Sequence, residues 1–408
     1  MILNLLIILT ILGFVFNQVL EYINYRSSKG PLPDDLADVY QADKYSEFIS
    51  YKSSAYRFNL VTTVFSLILT LFLLWIGFGL LDAWVNEITD SQIIRGLLFF
   101  GILAASSEIV TMPFDIYETF VLEQKYGFNT TTWKTYLSDK LKSYFLAAFL
   151  GGGLLIFLFW LILSLEKNFW WLAWLGITSF SLFFTYFYSS LIVPIFNKQT
   201  PLGPGSLHDK LTSLSKTADF PLDDIFIIDG SKRSTRANAY FSGFGRKRRI
   251  VLYDTLLNQL NTDEIASVLA HEIGHYKLKH IQFGIVAGSI QTALLLFIFS
   301  LVLDNSLIYN VFGSAEGNLH IALIVYAILY NPVSAILSVL MNMLSQKFEY
   351  EADEFSARLV PGINLISGLK KLSAANLSNL TPHQLYVLFH HAHPTLKQRM
   401  DRILSVKY

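Results

Sequence analysis

Cysteine is absent from the 408 residues, which excludes disulfides, Cys-type zinc sites and thiol nucleophiles. Any metal must therefore be held by histidines and carboxylates. Charge is scarce as well: charged residues make up 15% of the chain, against about a quarter in an ordinary soluble domain. Neither sign predominates, since 31 basic residues face 31 acidic ones, so nothing points to nucleic acid as a partner. What is abundant is apolar. Hydrophobic residues reach 53%, with 33 Phe, 21 Tyr and 7 Trp. This is the composition of a membrane protein.

A helical span needs about 20 apolar residues. Such runs occur near 2–20, 59–81, 95–116, 145–165, 169–194, 281–303 and 318–342, about seven in all. The first has neither a basic n-region nor a small-residue cleavage site, so it reads as a retained span rather than a signal peptide. Lys and Arg alternate between connections. Arg26, Lys29, Lys44, Lys52 and Arg57 follow the first run, and Lys125, Lys134, Lys140 and Lys142 follow the third, whereas 82–94 and 304–317 have no basic residue. The positive-inside rule then puts the N-terminus outside, with 197–280 and the C-terminus in the cytosol.

The expected organisation has four parts: a membrane region at 1–196 with five helices, a polar segment at 197–280, two more spans at 281–342, and a helical tail at 343–408. The linker "NKQTPLGPGS" opens the polar segment. A helix over 207–218 follows, then strands in "DDIFIID" (223–229), "ANAYFSGFG" and "RRIVLYDTLL". Asn261 with Glu264 forms a capping box at the start of a helix whose apolar stripe is Ile265, Val268 and Leu269. In the seventh run, Asn331-Pro332 is expected to break or kink the helix. Glu108, a carboxylate in the third run, should face water or a partner.

On the helix after Asn261 stands "HEIGH". His271 and His275 lie four apart, on one helical face, so both imidazoles can reach one zinc ion. Glu272 projects close by and can take a proton from water. A catalytic zinc needs a third protein ligand. His280 is placed badly for this, because on a continued helix it lies well around the axis from His271. The metzincin pattern also fails, since Leu278 and Ile281 stand where Gly and His are required. The best source is "QKFEYEADEFSARL" (346–359). There Glu349 suits a ligand, and Asp353, one turn on, suits an acceptor for a ligating histidine's N–H. The bland alternative is a solvated acidic helix.

Together, "LAHEIGH", "KFEYEADEF", "NAYFSGFGRKRRIVLYDTLL", "FNKQTPL", "HAHPTLKQRM" and "MPFDIYETFVLEQKYGFN" resemble the signatures of the Ste24-type CAAX prenyl proteases of the M48 metallopeptidases. The resemblance implies a mainly α, polytopic membrane fold of about seven helices around a large chamber, capped by a cytosolic α/β zinc-peptidase domain. It implies one Zn2+ per chain on His271, His275 and Glu349, with Glu272 as general base. Asp353 and Arg399 would support the ligands, and His393 would stabilise the oxyanion. Asn238, Ala239 and Tyr240 would line the substrate on an edge strand. The partners implied are the lipid bilayer and a peptide or protein, prenylated at a C-terminal CAAX. A broad quality-control protease for misfolded or stalled membrane proteins is the nearest alternative. An idle metal-binding scaffold is the distant one, kept in view by Glu108, Gln282, Gln291 and Asn331.

Overall fold

The computed structural model describes residues 1–220, 222, 224–244, 247–303, 305–313 and 317–406, with backbone only at 241–244 and 247–248. Six helical stretches are long and apolar enough to cross a membrane. They are α1 (Ile2–Ser27), α2 (Ala42–Ile88), α3 (Gln92–Glu123), the stretch Trp133–Phe196, α9 (His280–Val302) and α10 (Leu319–Leu359). The fourth is a hairpin, divided by the 3-10 turn Glu166–Asn168 into α4 (133–165) and α5 (169–196). At the crossing, a Cβ on Gly176 would lie 2.5 Å from the Phe157 ring. Only glycine permits that approach. The hairpin yields the seven passes expected from sequence, and the first three helices run well beyond their apolar runs. Trp75, Ile109 and Phe145 are exposed on these helices, the apolar surface that a lipid environment allows.

Between the spans lies a small α/β unit built from β1 (Gln199–Pro201), α6 (Ser206–Thr217), β2 (Asp224–Ile228), β3 (Ala239–Phe244), β4 (Lys247–Tyr253), α7 (Asp254–Gln259) and α8 (Thr262–Lys277). Its sheet has the order β1-β2-β4-β3, parallel only between β2 and β4. Strand β1 falls inside the predicted linker, too short to show a periodicity. Asp223, first residue of a predicted strand, lies outside the described residues. The sheet and α6 pack on α8 through Leu211, Ile225, Leu252, Ile265, Leu269 and Ile273. The tail folds as α11 (Gly362–Ala375), α12 (Gln384–His390) and α13 (Leu396–Leu404). It packs under the start of α2 around Phe48, Leu365, Met400 and Ile403.

Two expectations are corrected. Helix α10 runs unbroken through Pro332 for 41 residues. Proline removes one amide hydrogen bond, and here the preceding turns, buried at Ile321, Val325 and Tyr330, hold the helix together. The same helix crosses the division placed at 342–343, so span and catalytic segment are one element. Helix α8, by contrast, does not continue into the sixth span. It ends at Lys277, and Lys279 turns left-handed (φ 62°) before α9 begins at His280.

Candidate active site

Helix α8 starts where its sequence says it should. The Asn261 side chain accepts from the amides of Asp263 and Glu264, and the Glu264 carboxylate accepts from the Asn261 amide. Lys371 and Ser367 of α11 hold that carboxylate in turn. The helix then crosses α10 along a seam of small residues. A Cβ on Gly274 would lie 3.1 Å from both Ala352 Cα and Phe355 Cβ, and the Ser356 hydroxyl donates to the Ser267 carbonyl at 2.9 Å. Gly274 is therefore the residue that lets the two ligand-bearing helices meet. A glycine inside a helix was its sequence signal.

At the crossing three side chains that could hold a metal ion converge. His275 Nε2 lies 3.1 Å from His271 Nε2 and 3.2 Å from Glu349 Oε1, and His271 Nε2 lies 3.5 Å from Glu349 Oε2. One atom from each can be chosen so that all three are within 4.8 Å of one another. Glu349 Oε2 is buried and accepts no aligned hydrogen bond, although His393 Nδ1 is 3.0 Å away. Two imidazole nitrogens and an orphaned carboxylate oxygen are the donor set of a catalytic zinc. The residues fit the metal.

Each histidine is oriented from behind. His271 Nδ1 lies 2.9 Å from Asp353 Oδ1, and Arg399 grips both oxygens of Asp353 at 2.8 and 2.6 Å. This commits Nδ1 to the carboxylate and leaves Nε2 for the metal. Burial would lower the His271 pKa, but its bonds to Asp353 and Glu349 outweigh burial and push it up to about 9. His275 Nδ1 faces His280 Nδ1 at 3.1 Å, and His280 Nε2 meets Glu351 Oε2 at 3.0 Å. His280 stacks flat on Phe348. It is outside the ligand set, as expected, but for a different reason: the turn at Lys279 brings its ring back behind His275. The sequence reading, which assumed a continued helix, missed this support. The polar run before Ile281 was the only hint.

Glu272 is half-buried and shares a cavity of about 410 Å3 with His275 and Tyr240. A narrower gap joins it to Ala239 and Tyr240. Both residues belong to β3, an edge strand with no further strand partner among the described residues. Asn238 stands just before the strand; its carbonyl accepts from the Tyr253 amide and its side chain folds onto the Ala239 amide. The approach to β3 is docked on the membrane region. Arg233 pairs with Asp139 of α4 at 2.6 Å, and Arg236 bonds Glu123 and the Tyr51 hydroxyl, both at 2.9 Å. No local pattern announced these contacts. Glu108 finds its partners in Lys140 (2.8 Å) and Tyr144 (2.7 Å).

Residues 21–198 match a family described as "CAAX prenyl protease N-terminal, five membrane helices", and residues 201–407 match "Peptidase family M48". CAAX prenyl protease 1 of Saccharomyces cerevisiae is 32% identical, over 97% of this chain and 93% of its own length. The CAAX prenyl protease 1 homolog of Oryza sativa subsp. japonica is 32% identical, over 96% and 95%. The crystal structure of S. mikatae Ste24p superposes with a TM-score of 0.93 at 31% identity, covering 99% of both chains.

Proposed function

This chain belongs to peptidase family M48, in its CAAX prenyl protease branch, and we propose from that membership that it is a zinc endopeptidase removing the C-terminal tripeptide of prenylated CAAX proteins. It is a multi-pass membrane metalloendopeptidase. The observation that carries the finer reading is the convergence of His271, His275 and Glu349 beside a cavity that Glu272 shares with an edge strand.

His271, His275 and Glu349 hold the metal, which when bound supplies the Lewis acidity that activates water and polarises the scissile carbonyl. Ala239 and Tyr240 on β3 align the peptide through main-chain hydrogen bonds, which give affinity without reading side chains. Glu272 takes the proton of the attacking water and passes it to the leaving amine. His393, two-thirds exposed beside Glu349, donates to the oxyanion as charge develops. Asp353 and Arg399 hold His271, while His280 and Glu351 hold His275. The Lys and Arg distribution supports an orientation with the N-terminus outside and this site on the cytosolic side.

The test is to incubate the purified protein with a farnesylated CAAX peptide and an unprenylated control, with and without a chelator, and to weigh the products. Release of a tripeptide from the farnesylated peptide, abolished by the chelator, is the expected result. Equal cleavage of both peptides at scattered bonds would favour a quality-control protease.

A further inference from the structure

A larger cavity, of about 630 Å3, lies in the membrane region among α1, α2 and α3. Most charges on its wall are already engaged. Lys140 pairs with Glu108 and Asp115, Glu123 with Arg236, and Glu21 accepts from the Tyr386 hydroxyl at 3.0 Å. Lys52 and Glu118 make no hydrogen bond or ion pair with a described residue. Lys52 is thus the free cation on this wall among the described residues. An ammonium held away from bulk water gains most from an anionic partner.

Its surroundings locate it relative to the cut. Lys52 shares the cavity wall with Glu123, which pairs with Arg236, and with Tyr386 of α12, the helix that leads to His391 and His393. Tyr51, its neighbour in sequence, bonds Arg236 directly. Lys52 therefore sits between α12, which leads into the His393 loop, and the approach to β3.

The direction of the substrate follows from the strand. The cut is made level with Ala239 and Tyr240, which share cavities with Glu272. A peptide adding to β3 in the antiparallel sense, the more stable pairing, runs its C-terminal end back past Asn238. Three residues cover about 10 Å of strand and end level with Arg236, whose guanidinium is already shared with Glu123. We propose that Lys52 receives the substrate's terminal carboxylate and so fixes the cut three residues from the end; this inference rests on the function proposed above.

The experiment compares two farnesylated peptides of the same CAAX sequence, one ending in a free carboxylate and the other in an amide. The parent should favour the acid by about ten- to hundredfold in kcat/KM, the usual worth of a hydrogen bond to a charged group, with the difference carried by KM. In Lys52→Met that ratio should fall to near one, while Lys52→Arg retains most of it. Lys52→Gln reads the same ratio should the methionine variant fail to fold. A ratio in Lys52→Met or Lys52→Gln equal to the parent's overturns the proposal. So does a parent that treats acid and amide alike. A parent that cuts neither peptide at the third residue, while cleaving other sequences, removes the proposed function and this inference with it.

Discussion

Helix α10 carries a buried histidine–carboxylate cluster at each end, and the two ends differ instructively. Near its start, His320 meets Asp82 at 2.7 Å, Asn318 donates to the same carboxylate at 2.9 Å, and the Phe99 ring covers the imidazole. Near its finish, His271 meets Asp353 at 2.9 Å under the guanidinium of Arg399. Both are buried. The first leaves His320 Nδ1 without a partner, but among the described residues it gathers no group of three ligating side chains. The second leaves lone pairs over, with Glu349 Oε2 orphaned, two Nε2 atoms beside it, and a cavity on one side. Buried charge alone does not mark a site; converging, unspent ligand atoms beside an open space do.

The comparison breaks most visibly at Glu272. Glu272→Gln keeps shape and ligands but cannot accept a proton, so turnover should fall by about a thousandfold or more with zinc content unchanged. Near-parental cleavage by that variant would remove the general base from the mechanism. His393→Ala should lower the rate by about a hundredfold, the common cost of a lost oxyanion donor, while His390→Ala and His391→Ala do little. Similar losses at all three would mean a structural cluster.

Smaller effects sharpen the contrast. His280→Ala frees the back of the His275 ring, and competition with a chelator should show zinc affinity reduced about ten- to hundredfold. Unchanged affinity would reduce the Glu351–His280 arm to packing. In the metal-free protein the raised pKa of His271, about 9, means that a proton stays bound at neutral pH and must leave when zinc arrives. Zinc uptake at pH 7.5 should therefore release at least one proton, read from binding enthalpies in buffers of different ionisation heat, and affinity should climb as pH rises toward 9. Zero release contradicts this. The same sign makes the ionic contribution to metal-free stability full below about 6.5 and lost as pH rises through 9. At the other end, His320→Ala should cost about 1.5–3 kcal/mol of stability by removing one buried hydrogen bond to the Asp82 carboxylate, yet leave zinc affinity and turnover per folded molecule untouched. A changed zinc affinity there would erase the distinction between the ends.

The near-linear features were legible in sequence. His271, Glu272, His275 and the capping box are spaced by one helical turn, and the apolar runs are plain in composition. Glu349 was reachable because a two-histidine site demands a third ligand and one downstream helix offered a carboxylate with a supporting acid a turn away. The rest depends on where the chain bends and what it then meets. Lys279 adopts a left-handed conformation that usually goes to glycine, so "KLKH" carries no stop signal and the return of His280 could not be foreseen. The docking of Arg233 and Arg236 joins residues about a hundred apart in sequence, beyond the reach of any local period. Pro332 misled for the opposite reason, since a local rule was overridden by neighbouring helices.

The unbroken run of α10 has a further consequence. Glu349 follows Pro332 by seventeen residues of continuous helix, about 25 Å at the helical rise, with no joint to absorb movement. The distance of this carboxylate from mid-span is therefore set by counting residues. A bilayer of another thickness would tilt or shift the rod and carry the carboxylate with it.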